Sequence, residues 1–201
     1  MSFVKGWSRR LFFAIRESIG GTFAITTQPF IELNVKRGQQ FEARHKVTGI
    51  ATGAKKYYLL RTAADPIILK RRVLVTNSNE VNFKVSRTPT ITGTGTPVFI
   101  RNYNEVAPNV NAVQVFVDPT FSATGTLRTQ DYLPGSENAG NRSSGSFSQE
   151  GFERILAANT DFLLEIANDG TTNPLNFYLE LSWYEGPIVP MGEDDEVIPT
   201  D

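Results

Sequence analysis

Short runs that alternate between apolar and polar residues, each closed by turn formers, recur along most of this 201-residue chain. In EVNFKVSR (80–87), Val81, Phe83 and Val85 fall on one side of an extended backbone and Asn82, Lys84 and Ser86 on the other. In NFYLELSWY (176–184), Phe177, Leu179, Leu181 and Trp183 point one way, and Tyr178, Glu180, Ser182 and Tyr184 the other. A period of two with one apolar face marks a half-buried antiparallel strand. Further strand-like runs are FEARHKVTG (41–49), KYYLLRT (56–62), PIILKRRVLVT (66–76), TPVFIRN (96–102), AVQVFVD (112–118) and TGTLRTQDY (124–132). ERILAANTDFLLEIAN (153–168) reads as two strands about a turn, and LNFYLELSWYEG (175–186) as the last strand. Roughly eight to ten strands with no helical run between them predict an all-β antiparallel sandwich or barrel. At this length a jelly-roll-like sandwich is the expected form.

The ends break this pattern. Val4, Trp7, Leu11, Ile15 and Ile19 recur at spacings of three and four, which predicts a short amphipathic helix with Ser8 as cap and Gly20-Gly21 as stop. Its face can pack on its own domain, on a partner chain or on a membrane surface. Lys5, Arg9, Arg10 and Arg16 precede the first acid, Glu17, so an anionic partner is compatible. TFAITTQPFIELNV (22–35) reads as an extended arm or edge strand because Pro29 interrupts it. The run LFFAI (11–15) is shorter than the core of a secretory signal, about 7 to 15 residues. No run approaches the roughly 18 apolar residues of a membrane span. The loop LPGSENAGNRSSGSFS (133–148) is polar and expected to be exposed, and PIVPMGEDDEVIPTD (187–201) is an acidic tail. The expected organisation is a helix and arm over 1–38, a β-sandwich over 39–187 and a tail over 188–201.

Catalytic and ligand motifs fare poorly. With no cysteine, disulfides, thiolate metal sites and cysteine nucleophiles are excluded, and His45 alone cannot build a multi-histidine centre. It is expected to be a structural or exposed strand residue. TITGTGTPV (90–98) looks at first like a phosphate loop. A P-loop needs Lys-Ser/Thr after its last glycine and then a helix. Here Gly95 is followed by Thr96, Pro97 and a strand, so the stretch reads as a turn. Glu193 to Glu196 lack the alternating oxygens and glycine of a calcium loop. Asp161 and Glu165 would share a strand face, as acids in any β-rich chain can, and Glu180 and Glu185 lie near the last strand. Lys70, Arg71 and Arg72 are consecutive, so they alternate faces rather than forming a stripe for nucleic acid. A net charge of -1 agrees. Neither cofactor nor metal is expected.

One resemblance runs through the middle and end of the chain. ADPIILKRRVLVTNSNEVNFKVSRTPTITGTGTPVFIRNYN, then the polar loop, then RILAANTDFLLEIANDG and FYLELSWYEG, resemble small structural proteins of tailed bacteriophages. The matching positions are Thr94-Gly95-Thr96-Pro97-Val98, Asn159-Thr160, Asn168 and Trp183, within about residues 40 to 187. The resemblance implies a β-sandwich virion component, often trimeric, without catalytic residues. The leading expectation is a capsid decoration or cement protein, assembled in the host cytoplasm, that binds the major capsid protein or another virion protein. Its expected partner-binding residues are Trp7, Leu11, Phe12, Ile15, Ile19, Phe30 and Arg71. Alternatives are a tail, collar or head-fibre component whose 133–148 loop touches a receptor, and a carbohydrate-binding sandwich using Tyr57, Tyr103 or Tyr132.

Overall fold

The computed structural model describes residue 35 and residues 37–76, 80–106, 109–133, 146–149 (backbone only), 154–170 and 173–186. Fourteen strands account for most of them: β1 (Gln40–Ile50), β2 (Lys55–Arg61), β3 (Ile67–Thr76), β4 (Val81–Arg87), β5 (Thr90–Gly93), β6 (Thr96–Pro97), β7 (Ile100–Asn102), β8 (Gln114–Val117), β9 (Thr120–Ala123), β10 (Thr126–Leu133), β11 (Ser146–Gln149), β12 (Arg154–Leu156), β13 (Asp161–Asn168) and β14 (Leu175–Glu185). Among the described residues only Val35 is helical, and no helix is long and apolar enough to cross a membrane. The expected N-terminal helix lies outside the described residues.

Every pairing is antiparallel. One six-stranded sheet has the order β11-β3-β14-β1-β7, with β12 also on β3; the second has the order β10-β4-β13-β2-β8-β6. The pairings are nested. β1 pairs β14, β2 pairs β13, β3 pairs β12 and β11, and β4 pairs β10. The first four strands therefore run back along the last ones as one long hairpin, with successive strands assigned alternately to the two sheets. The stretch between β4 and β10 forms its tip. From that tip β7 returns to extend the first sheet beside β1, while β8 and β6 extend the second beside β2.

The alternation seen in the sequence builds the interior. Phe41 and Ala43 of β1, Leu74 of β3, and Phe177, Leu179, Leu181 and Trp183 of β14 contribute from the first sheet. Tyr58 and Leu60 of β2, Val81 and Phe83 of β4, and Phe162, Leu164 and Ile166 of β13 contribute from the second. All belong to one buried cluster. Trp183 is fully buried and stacks on Phe41 with ring centroids 6.2 Å apart. The expected half-burial of β14 needs correction: Glu180, Ser182 and Tyr184, on the other face, are buried as well.

Several expected boundaries move. TPVFIRN is not one strand. Pro97, which has no N–H for a ladder, sits in the edge strand β6. After Val98 donates its N–H to Val115 O (2.8 Å), the chain crosses to the other sheet as β7. The polar loop was expected to be exposed to Ser148, yet Ser146–Gln149 pair with Val75–Arg72 as β11. Leu133 ends β10 and is buried. β5 and β9 were not foreseen. They form a two-stranded sheet of their own beyond the β4–β10 hairpin, past Thr88 and Gly125, whose φ values are 54° and 81°. Their Thr, Gly and Ser carry no alternation to read. TITGTGTPV was expected to be a turn throughout; it holds β5 and β6, and only Thr94 and Gly95 turn between them, with Gly95 at φ 85°. A Cβ there would lie 2.3 Å from Val117 O.

Candidate functional site

The strand acids singled out in the sequence, Asp161, Glu165, Glu180 and Glu185, have structural partners. Asp161 and Glu165 do fall on the same strand face. Asp161 accepts two hydrogen bonds from Arg61, at 2.7 and 2.8 Å, and Glu165 faces Lys55 at 2.9 Å and Lys84 at 3.6 Å. Glu185 accepts from Trp183 Nε1 (2.8 Å) and from the backbone N–H of Ala112 (2.7 Å) and Val113 (3.2 Å). Arg44 donates to buried Glu42 at 2.8 Å and lies 3.3 Å from Glu180. Tyr103 also donates to Glu42. Burial and then that bond to Glu42 hold the Tyr103 phenol up at about 12. Among the described residues no group of three or more His, Asp or Glu could hold a metal ion.

His45 is a structural strand residue, half-buried, with Nδ1 2.7 Å from the Tyr58 hydroxyl and the two rings edge to face. Burial, and then Lys56, lower its pKa below the ordinary 6.5. Within the LKRR run, a register shift between Ser182 and Trp183 leaves Lys70 as the extra residue of a bulge. Arg72 then lies on the core side. Its Nη2 reaches Asp131 of the other sheet at 2.7 Å, and its guanidinium carbon sits 4.5 Å from the Phe83 ring centroid. Arg71 pairs with Ser182 in the β3–β14 register.

A shallow depression of about 430 Å³ opens beside the Arg61–Asp161 pair, bordered by Thr88, Pro89, Asn159 and Thr160. Thr88 and Asn159 both have positive φ, 54° and 46°. Local bonds account for this geometry: Thr88 N–H donates to Asp161 O (2.9 Å), and Asn159 N–H to Ala63 O (2.7 Å). The other positions that carried the resemblance are also structural. Asn168, fully buried, donates from Nδ2 to Ile50 O (2.9 Å) and Asn173 O (3.1 Å), joining two turns.

Among the described residues, exposed large apolar side chains gather in two places, while Ile155 of β12, 63% exposed, is a third site with a single such side chain. On β10, the register shift between Leu127 and Thr129 turns Leu127 to the outer face, opposite Ser86, where Tyr132 also lies opposite Asn82. Leu127 is 51% exposed and Tyr132 55%. β4 is the one strand that pairs β10 among the described residues. The second place is the connection from Val98 to Val113, which holds Phe99, Val106 and Val110 at 83%, 95% and 92% exposure. That connection is pinned. Asn102 Nδ2 donates to Gly38 O (2.7 Å) and Asn109 O (3.1 Å), Asn109 Nδ2 donates to Arg37 O (2.8 Å), and Arg101 pairs with Glu105.

Of these surfaces, sequence reasoning named only Tyr132 and Tyr103, as aromatics for sugar stacking. It placed the binding residues Trp7, Leu11, Phe12, Ile15, Ile19 and Phe30 in a segment outside the described residues, and the Arg71 side chain is likewise outside them. The available signal was Val106 and Val110 standing apolar in NYNEVAPNVN, off any period of two. Of the tyrosines named for sugar stacking, Tyr57 packs edge-on against Phe121 (4.9 Å), Tyr103 is tied to Glu42, and Tyr132 remains more than half exposed. No protein-family model matches the chain, and no curated protein matches it.

Proposed function

We propose that this chain is a virion structural protein, a decoration or cement component that binds a capsid shell through the outer face of β10 and through its N-terminal segment. The body is read as a jelly-roll sandwich. That reading is supported by the nested pairing of β1–β4 with β14–β10 and by the shared core. The observation that carries the function is Leu127 and Tyr132, both more than half exposed and brought to one face of an edge strand by a bulge. An edge strand with exposed apolar side chains is a template for association, which natural proteins otherwise blunt with charge or proline. Repetition around a symmetric shell multiplies such weak contacts, and a trimer would set three of these edges around one axis.

The test separates the two surfaces. Deleting residues 1–34 keeps Arg37 and Gly38, whose carbonyls hold the 98–113 connection. The truncated protein is expected to fold with an unchanged far-ultraviolet β spectrum and to fail to join particles. L127D/Y132D, at exposed positions, is expected to fold and to lose self-association by light scattering. Normal incorporation of both variants into particles would sink the proposal.

A further inference from the structure

The three most exposed large apolar side chains among the described residues, Val106, Val110 and Phe99, all lie on the Val98–Val113 connection. Solvent alone gives no reason to hold such side chains outward, yet asparagine side chains and Glu185 fix the flanking residues Asn102, Asn109 and Ala112. The carbonyls that Asn109 and Asn102 use belong to Arg37 and Gly38, where the N-terminal segment enters the body. From Ile19 the chain can return roughly 60 Å when extended, enough to reach any point on this loop.

We infer that the exposed side chains of Val106, Val110 and Phe99 are the docking site of this chain's own N-terminal segment, which lays its Trp7, Leu11, Ile15 and Ile19 stripe against them. Two physical facts select this occupant. A segment tethered beside its site sees it at an effective concentration of order mM, well above that of a second copy at ordinary protein concentrations. The acidic tail also leaves the body nearby, since Glu185 N–H bonds Gln39 O at 2.9 Å. That tail carries four consecutive acids and no helical apolar stripe, so it suits an apolar site poorly. The inference concerns the free protein and stands apart from the virion reading.

The cysteine-free sequence makes the test direct, because engineered thiols are the only ones present. V110C is combined with I15C on the apolar stripe, with R16C beside it, or with V197C in the tail. Each full-length protein is oxidised mildly and run without reductant. The expected result is a disulfide within one chain for V110C/I15C, formed about tenfold faster than for V110C/R16C, as the effective concentration of a seated stripe requires. Equal rates for both pairs, bonding only between chains, or preferential bonding to V197C would each overturn the inference. As a second reading, V106D/V110D is expected to raise acrylamide quenching of Trp7, measured as the difference from a W7F control; unchanged quenching would count against docking. Failure here leaves the particle experiment with the 1–34 deletion intact, and the reverse also holds.

Discussion

Arg72 shows at the scale of one residue what a basic run leaves open. Lys70, Arg71 and Arg72 were expected to alternate faces, and the bulge at Lys70 sets the register so that Arg72 enters the interior, against Asp131 and over Phe83. Removing one member of a buried pair strands the other charge, at a cost of about 3–5 kcal/mol. The Asp131 side chain is 23% exposed, so the low end applies. Asp131→Ala is expected to lose about 3 kcal/mol in urea unfolding, while R72M/D131L recovers most of it because neither charge remains. His45 gives a pH dependence. Its folded pKa lies below the ordinary 6.5, so the unfolded chain takes up the proton first. Stability is therefore full above about pH 6.5 and falls as pH drops through that value toward the folded one. Urea midpoints compared at about pH 7.5 and about pH 5 should fall less for His45→Gln than for the parent chain.

At the scale of elements, alternation marked the long strands well. β1, β2, β3, β4, β13 and β14 all lie within a residue or so of the runs that predicted them, because their apolar faces meet one core. The short strands left no such mark. β5, β6, β7 and β9 are held by backbone pairing and by special φ values, and neither produces a period in side-chain polarity. The surfaces were illegible for a related reason. Leu127 faces outward only because the strand bulges before Thr129, and a one-residue slip moves a side chain across the sheet. Gly125 tests the bend between β4–β10 and β5–β9. A Cβ there would meet Arg87 O at 2.3 Å at a φ of 81°, whereas Gly53 at φ 73° faces open space. Gly125→Ala is expected to cost about 1–3 kcal/mol from conformation alone, with the backbone clash added. Gly53→Ala should lose less, and equal thermal midpoints for the two would contradict the close approach.

For the whole molecule, the nested pairing joins the beginning of the body to its end. Gln40 stands opposite Tyr184 in the register, and the first and last described strands are direct neighbours. Labels attached where the described body begins and ends, at β1 and β14, would thus be carried on a single pole, beside the Val98–Val113 connection. The β5–β9 hairpin belongs to the other turn of the chain. A circular permutant that bridges the start of β1 and the end of β14 and opens within that hairpin would keep all four nested pairs, and with them the core.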